Sequence, residues 1–174
     1  MGEKHHAEYT SFTSDQKSEV LQTVLDYYSA LSAETDNWVA NLANASSLVW
    51  HAYHDLKIPV NWAGFYVLDP SHVSQLVLGP FQGKVACQTI AFGKGVCGTA
   101  ASTKETQLVP NVDEFPGHIA CDGETQSEIV VPVVVDGKVM GVLDIDCLAK
   151  NGFDEEDKKY LELLAQAIAT SCKW

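Results

Sequence analysis

The sequence has no apolar run approaching the ~20 residues that a membrane span needs. Its opening segment, Met1 to Thr10, is polar and carries His5 and His6, with no apolar core to serve as a signal peptide. Secretion and membrane insertion are therefore not expected. The expected compartment is the cytoplasm, with the nucleus as a second one. Basic residues are scarce, 11 against 23 acidic ones, for a formal charge of −12. A surface this acidic repels phosphate backbones and anionic lipid, so nucleic acid and membrane surfaces are not expected as partners. Internal repeats, low-complexity runs and Pro/Gly/Ser-rich linkers are also missing. With 174 residues, of which 46% are hydrophobic, the chain reads as one domain able to bury a core without metal or disulfide.

No Cys-x-x-Cys pair occurs among the five cysteines. In a reducing compartment they are expected as thiols, and an odd number fits a structural disulfide framework poorly. The spacings Cys87–Cys97–Cys121 are not usual zinc-ligand spacings, and no metal site is expected. His51 and His54 lie on a helix and read as surface or core histidines.

Along the chain, residues 1–15 read as a mobile tail and 16–174 as the domain. Ser14 and Asp15 are candidate caps for a first helix bearing Val20, Leu21, Val24, Leu25, Tyr28 and Leu31. A second helix begins at Asp36 and runs to about Leu56. The period then changes. Strands are expected at Asn61–Leu68, Gln75–Leu78 and Ala86–Phe92, with Gly79–Gly83 a loop. A short glycine-punctuated helix ends at Ala101, and Gln107–Val109 is a short strand. Asn111–Gln126 is a loop too long to be idle in so small a domain. Glu128–Val135 and Lys138–Cys147 form a hairpin about Asp136-Gly137. Asp154 caps a last helix reaching about Cys172. This order predicts an α+β fold, an antiparallel sheet with the N- and C-terminal helices packed mainly on one face.

Three cysteines fall in the loop-rich middle. Cys121 stands in Gly-His-Ile-Ala-Cys-Asp-Gly, where His118 would lower its pKa if the loop folds the ring back and Asp122 would raise it. Cys97 stands in Gly93-Lys94-Gly95-Val96-Cys97-Gly98, where a helix begins, and a helix N-terminus favours a thiolate. Thiol redox chemistry needs an attacking thiolate and a resolving thiol within reach, and two loop cysteines supply such a pair. Cys147 and Cys172 read as core fillers. The glycines also match G-x-G-x-x-G, but no parallel βαβ unit surrounds them, which argues against a dinucleotide site.

Asp144 and Asp146 alternate along an apolar strand and so share one sheet face. A solvated face is the ordinary explanation. Glu128, opening the partner strand, is placed to join them. Three carboxylates together repel unless something positive sits between them, and a ligand ammonium would serve. Trp62 and Tyr66, four apart, share a face and offer an aromatic wall. Such a site suits a small zwitterion with an apolar methyl group.

The blocks Asn61–Tyr66, Gly79–Cys87, Gly93–Ala100, Gly117–Asp122, Ser127–Val130 and Gly141–Asp146 together resemble the free methionine-(R)-sulfoxide reductase family, its yeast-type members most of all. The resemblance runs from about Asn37 to the last helix. It implies a GAF fold and a thiol reductase that turns free L-methionine-(R)-sulfoxide into methionine. Cys121 aligns with the nucleophile, which would become a sulfenic acid and then a disulfide. Cys97 is the favoured resolving thiol, with Cys87 as alternative or relay. Trp62, Tyr66, Glu128, Asp144 and Asp146 map onto the substrate pocket. The resemblance implies no bound metal or organic cofactor, thioredoxin as reductant with NADPH behind it, and a homodimer as one assembly. Two other readings stand beside it: a free-standing GAF module that senses a small ligand such as a cyclic nucleotide, and a peroxide sensor built on Cys121. A non-catalytic interaction protein is disfavoured by the loop placement of three cysteines.

Overall fold

The computed structural model describes residues 5–174. The order of elements is α1 (Lys17–Ser32), α2 (Trp38–Asp55), β1 (Val60–Asp69), β2 (His72–Gly83), β3 (Thr89–Ala91), α3 (Gly95–Thr103), β4 (Gln107–Val109), β5 (Ser127–Val135), β6 (Lys138–Cys147) and α4 (Glu155–Ser171). The six strands form one antiparallel sheet in the order β3-β2-β1-β6-β5-β4.

One face of the sheet packs against α1, α2 and α4. Its core joins Val20, Leu21 and Val24 of α1 and Leu42, Leu48 and Val49 of α2 to Leu161, Leu164 and Ile168 of α4 and to Phe65, Leu143 and Ile145 of the strands. The 3.6-residue spacing of the helical set and the alternation of the strand set place these side chains there. The other face carries a smaller core, with Val96, Cys97, Ala100 and Ala101 of α3 over Trp62, Tyr66, Val130 and Val142. The expected α+β layout with the terminal helices on one face is the one observed.

Local differences have local causes. Helix α2 starts at Trp38 because the Asn37 side chain accepts from Val39 N and Ala40 N, while the carbonyl of Asp36 accepts from Lys173 N at 2.7 Å. Strand β2 runs through the expected loop at Gly79–Gly83, pairing Phe81 with Gly64 and Gly83 with Trp62. Gly64 makes this close pairing feasible, since a Cβ there would collide with Phe81. Strand β3 shrinks to Thr89–Ala91, which leaves residues 84–88 as a loop. Of the expected tail, residues 1–4 lie outside the described residues. His6–Thr10 is a 3-10 turn, and Tyr9 and Phe12 pack on the helical core, an apolar pair that a free tail would lack. Asp136 and Gly137 both have positive φ, as the tight hairpin between β5 and β6 requires.

A polar clamp ties the three large helices together. Asp157, fully buried on α4, accepts from Lys17 Nζ at 2.8 Å and from Tyr53 Oη at 2.7 Å. Asp154 caps α4 and takes the same ammonium at 2.8 Å. Asp157→Ala leaves the Tyr53 hydroxyl buried without an acceptor and removes one of the two carboxylate partners of Lys17, leaving it Asp154 alone. We expect destabilisation of about 2–4 kcal/mol, read by urea unfolding with m unchanged. A loss below about 0.5 kcal/mol, within the range of ordinary surface substitutions, would show the clamp to be dispensable.

Candidate active site

The sheet face beneath α3 is where the acidic pattern of β6 points. Leu143 and Ile145 enter the helical core, so Asp144 and Asp146 necessarily face the other way. The register sets Asp146 between Trp62 on β1 and Glu128 on β5, and Asp144 between Gly64 and Val130. Glu128 and Asp144 are each only 6% exposed, which removes the explanation of a solvated face. These carboxylates, with Trp62 and Tyr66, line a cavity of about 570 Å³ including its open mouth. The other lining residues include Cys97 of α3 and, from two loops, Lys84–Ala86 and His118–Asp122.

Desolvation raises the pKa of Glu128, Asp144 and Asp146 well above the carboxylate range, and their mutual repulsion adds to it. Glu128 and Asp144 also hydrogen-bond one another, which requires a proton between them. His118 does turn inward, but toward Glu128, its Nε2 lying 3.6 Å from Oε2. Burial lowers the His118 pKa, which keeps the ring neutral near pH 7. Burial likewise pushes the Cys97 thiol up, and the charges of Asp144 and Glu128 push it further. The helix N-terminus thus does not make Cys97 a thiolate: the third residue of α3 sits over carboxylates in a dry place, and desolvation outweighs the dipole.

At the mouth, Cys87 and Cys121 form a disulfide across a sequence separation of 34, with Cα atoms 5.6 Å apart. Cys97, favoured from sequence as the partner of Cys121, is a free and buried thiol. The cause is the late start of β3 at Thr89, which frees residues 84–88 to reach the 117–126 loop. Cys121 is exposed and Cys87 half-buried.

Both loops are anchored to the site by side-chain hydrogen bonds, a role that pattern reading did not assign even to the aromatic pair it had singled out. Trp62 Nε1 donates to the Lys84 carbonyl at 3.1 Å, and Tyr66 Oη donates to the Cys87 carbonyl at 3.0 Å. The aromatic wall therefore also fixes the cysteine loop. Asn61 Nδ2 donates to Asp122 Oδ2 at 3.2 Å and to Thr125 Oγ1 at 3.0 Å, holding the second loop. Lys84 and Glu124 bridge the two loops at 2.7 Å. The only sequence signal for Asn61 is its place beside Trp62 at the start of an apolar strand. Lys84 and Glu124 carry none, because their pairing depends on how two loops meet.

This arrangement can hold a small ammonium-bearing molecule on the carboxylate floor, supply a proton from that floor, and cycle two sulfurs at the mouth between dithiol and disulfide. Residues 14–171 match the family model of the GAF domain. The free methionine-R-sulfoxide reductase of Saccharomyces cerevisiae is 61% identical over 170 residues, covering 97% of this chain and 94% of that protein. The enzyme of the same name from Escherichia coli is 46% identical over 140 residues, covering 80% of this chain and 81% of its own. The solved structure of free methionine-R-sulfoxide reductase from Neisseria meningitidis in complex with its substrate superposes with a TM-score of 0.87 at 40% identity, covering 92% of this chain and 93% of that one. Likeness of this extent, in sequence and in fold and over nearly the whole chain, shows that this protein belongs to the free methionine-R-sulfoxide reductase family of GAF-domain proteins.

Proposed function

We propose that the protein reduces free L-methionine-(R)-sulfoxide to L-methionine, with Cys121 as nucleophile and Cys87 as resolving thiol. The observation that carries this reading is the disulfide between Cys87 and Cys121 at the mouth of a cavity floored by carboxylates. In the reduced form the Cys121 thiolate attacks the sulfoxide sulfur, and the proton shared by Glu128 and Asp144 passes to the sulfoxide oxygen. The transient bond between the two sulfurs then breaks as the protonated oxygen passes from the substrate sulfur to the Cys121 sulfur, where it remains as a sulfenic acid. The substrate sulfur gains two electrons and methionine leaves. The Cys87 sulfur then attacks Cys121, forming the S–S bond and releasing water. All redox chemistry runs on side-chain sulfur, so no bound organic cofactor or metal enters the cycle.

Asp146, with the carboxylate left on the floor, receives the α-ammonium, and Trp62 and Tyr66 pack the S-methyl end. A peptide-bound methionine sulfoxide has no free ammonium and would leave buried carboxylates unpaired. Preference for the R epimer follows the family. An external dithiol must close the cycle, and thioredoxin, itself reduced with NADPH, is the expected one. A homodimer and a cytoplasmic setting accord with the family resemblance.

The test is NADPH consumption by the pure protein with thioredoxin and its reductase. Free methionine-(R)-sulfoxide should be consumed, and the S epimer and an internal peptide sulfoxide should be turned over at least about 100-fold more slowly in kcat/KM. Equal turnover of the peptide would remove the ammonium from the argument. Inactivity toward both epimers, with dithiothreitol failing as well, would leave the small-ligand sensor as the reading.

A further inference from the structure

The mechanism above uses the carboxylate floor and the two cysteines at the mouth. It leaves Cys97 without a task. Cys97 Sγ and one carboxylate oxygen each of Glu128 and Asp144 all lie within 4.8 Å of one another, and all three residues are buried. A point therefore exists within about 2.8 Å of all three, close to the bonding distances of about 2.0–2.3 Å that zinc takes to oxygen and sulfur. A contraction of about 0.5 Å would complete the contact. Asp144 Oδ1 is buried with no hydrogen-bond partner, the one site carboxylate oxygen so placed among the described residues. His118 Nε2, in the loop above, lies 3.6 Å from Glu128 but outside this three-atom group, which leaves further coordination positions to water.

Among the described residues nothing cationic neutralises this floor. The sequence contains no arginine. Lys84 and Lys94 are exposed at the mouth, and Lys84 is held by Glu124. We propose that Cys97, Glu128 and Asp144 bind a thiophilic divalent cation of the zinc type that excludes substrate from the cavity. One thiolate and two carboxylates make a borderline donor set, suited to zinc or cobalt and poor for magnesium or calcium, which prefer all-oxygen shells. Binding is proton exchange and not redox: the ion enters as the Cys97 thiol proton and the proton between Glu128 and Asp144 leave to solvent. The ion and the substrate ammonium require the same carboxylates, so each displaces the other. The binding step stands apart from the reductase reading, and only its inhibitory consequence rests on that reading.

The ion site is tested on the disulfide form, in which Cys87 and Cys121 cannot act as thiolate ligands. Cobalt(II) should bind at one equivalent with a thiolate-to-cobalt charge-transfer band, and zinc but not magnesium should displace it. Cys97→Ser should abolish the band. Glu128→Gln, an isosteric change, should weaken binding by about tenfold or more. In the reduced enzyme, zinc should act as a competitive inhibitor against methionine sulfoxide. Absence of the band in an active reductase overturns the ion site alone. So does a band that survives Cys97→Ser, which would place the ion at Cys147 or Cys172. A Cys97-dependent band in a protein without reductase activity supports the ion site and overturns the reductase reading.

Discussion

Cys121→Ser is expected to lower turnover of free methionine-(R)-sulfoxide by about 10³-fold or more, because the oxygen-accepting sulfur is gone and a serine hydroxyl cannot take its place. Cys87, Cys97 and Cys121 should separate sharply in a single-turnover assay that counts methionine formed per protein without external reductant. Wild type should release one equivalent and end as the disulfide seen here between Cys87 and Cys121. Cys121→Ser should release none. Cys87→Ser should also release one equivalent, but it should end with a sulfenic acid on Cys121 that a dimedone-type probe labels. Cys97→Ser should end as the same disulfide as wild type, since Cys97 lies buried on α3 over the carboxylate floor and takes no part in the exchange. A disulfide containing Cys97 in the wild-type product, found by peptide mapping, would restore Cys97 as the resolving thiol. No methionine from Cys87→Ser would mean that the oxygen is not transferred to Cys121 before the second cysteine acts.

Asp144→Asn is expected to act oppositely on rate and on stability. The aspartate loses its share of the proton it holds with Glu128, and loss of a general acid typically costs about 10²–10⁴-fold in kcat. Stability should move the other way. Burial, with Glu128 beside it, raises the Asp144 pKa in the fold above its ordinary value of 3.8. Between the ordinary value and the raised one, the native state holds a proton that the unfolded chain has already released. The native state then binds more protons, so stability falls as pH rises through that window. Below about pH 4 both states are protonated and the penalty vanishes. Asparagine has no such penalty. The variant should therefore melt about 2–4 °C higher than wild type at pH 7, the shift that about 1 kcal/mol produces in a protein of this size, and show no gain near pH 4. Thermal unfolding across pH 4–8 in the absence of substrate checks this. A melting point lowered equally at every pH would show that the carboxylate is there for packing and not for chemistry. The trade of stability for a strained, proton-holding floor is one that functional sites commonly make.

Local chemistry made much of this legible from one sequence. The hairpin about Asp136-Gly137, the cap at Asp154, the short strand Gln107–Val109 and the shared face of Asp144 and Asp146 all depend on residues adjacent in the chain or on a period of two. Glu128 followed from its place in the same hairpin. Expectations failed where partners came from distant segments. The run at Gly79–Gly83 looks like a loop because it has two glycines and a proline, yet it pairs with β1 because Gly64 clears room for Phe81. The helix N-terminus near Cys97 argued for a thiolate, and burial, with the carboxylates of two other strands beside it, pushes the thiol the other way.

The sequence by itself determined the fold class, the acidic strand, the aromatic wall and the set of Cys87, Cys97 and Cys121, because periodicity, turn residues and side-chain chemistry are properties of short stretches. Only the tertiary structure decided which cysteine meets Cys121 and whether the carboxylates are wet or buried. Loop closure over 34 residues depends on where β3 starts and on the Trp62, Tyr66 and Asn61 side chains that hold the loops. Burial of Glu128 and Asp144 depends on α3 and the 117–126 loop covering a sheet face that the strand pattern alone would leave to solvent. Desolvation is a property of what surrounds a group in space, and a sequence does not record it.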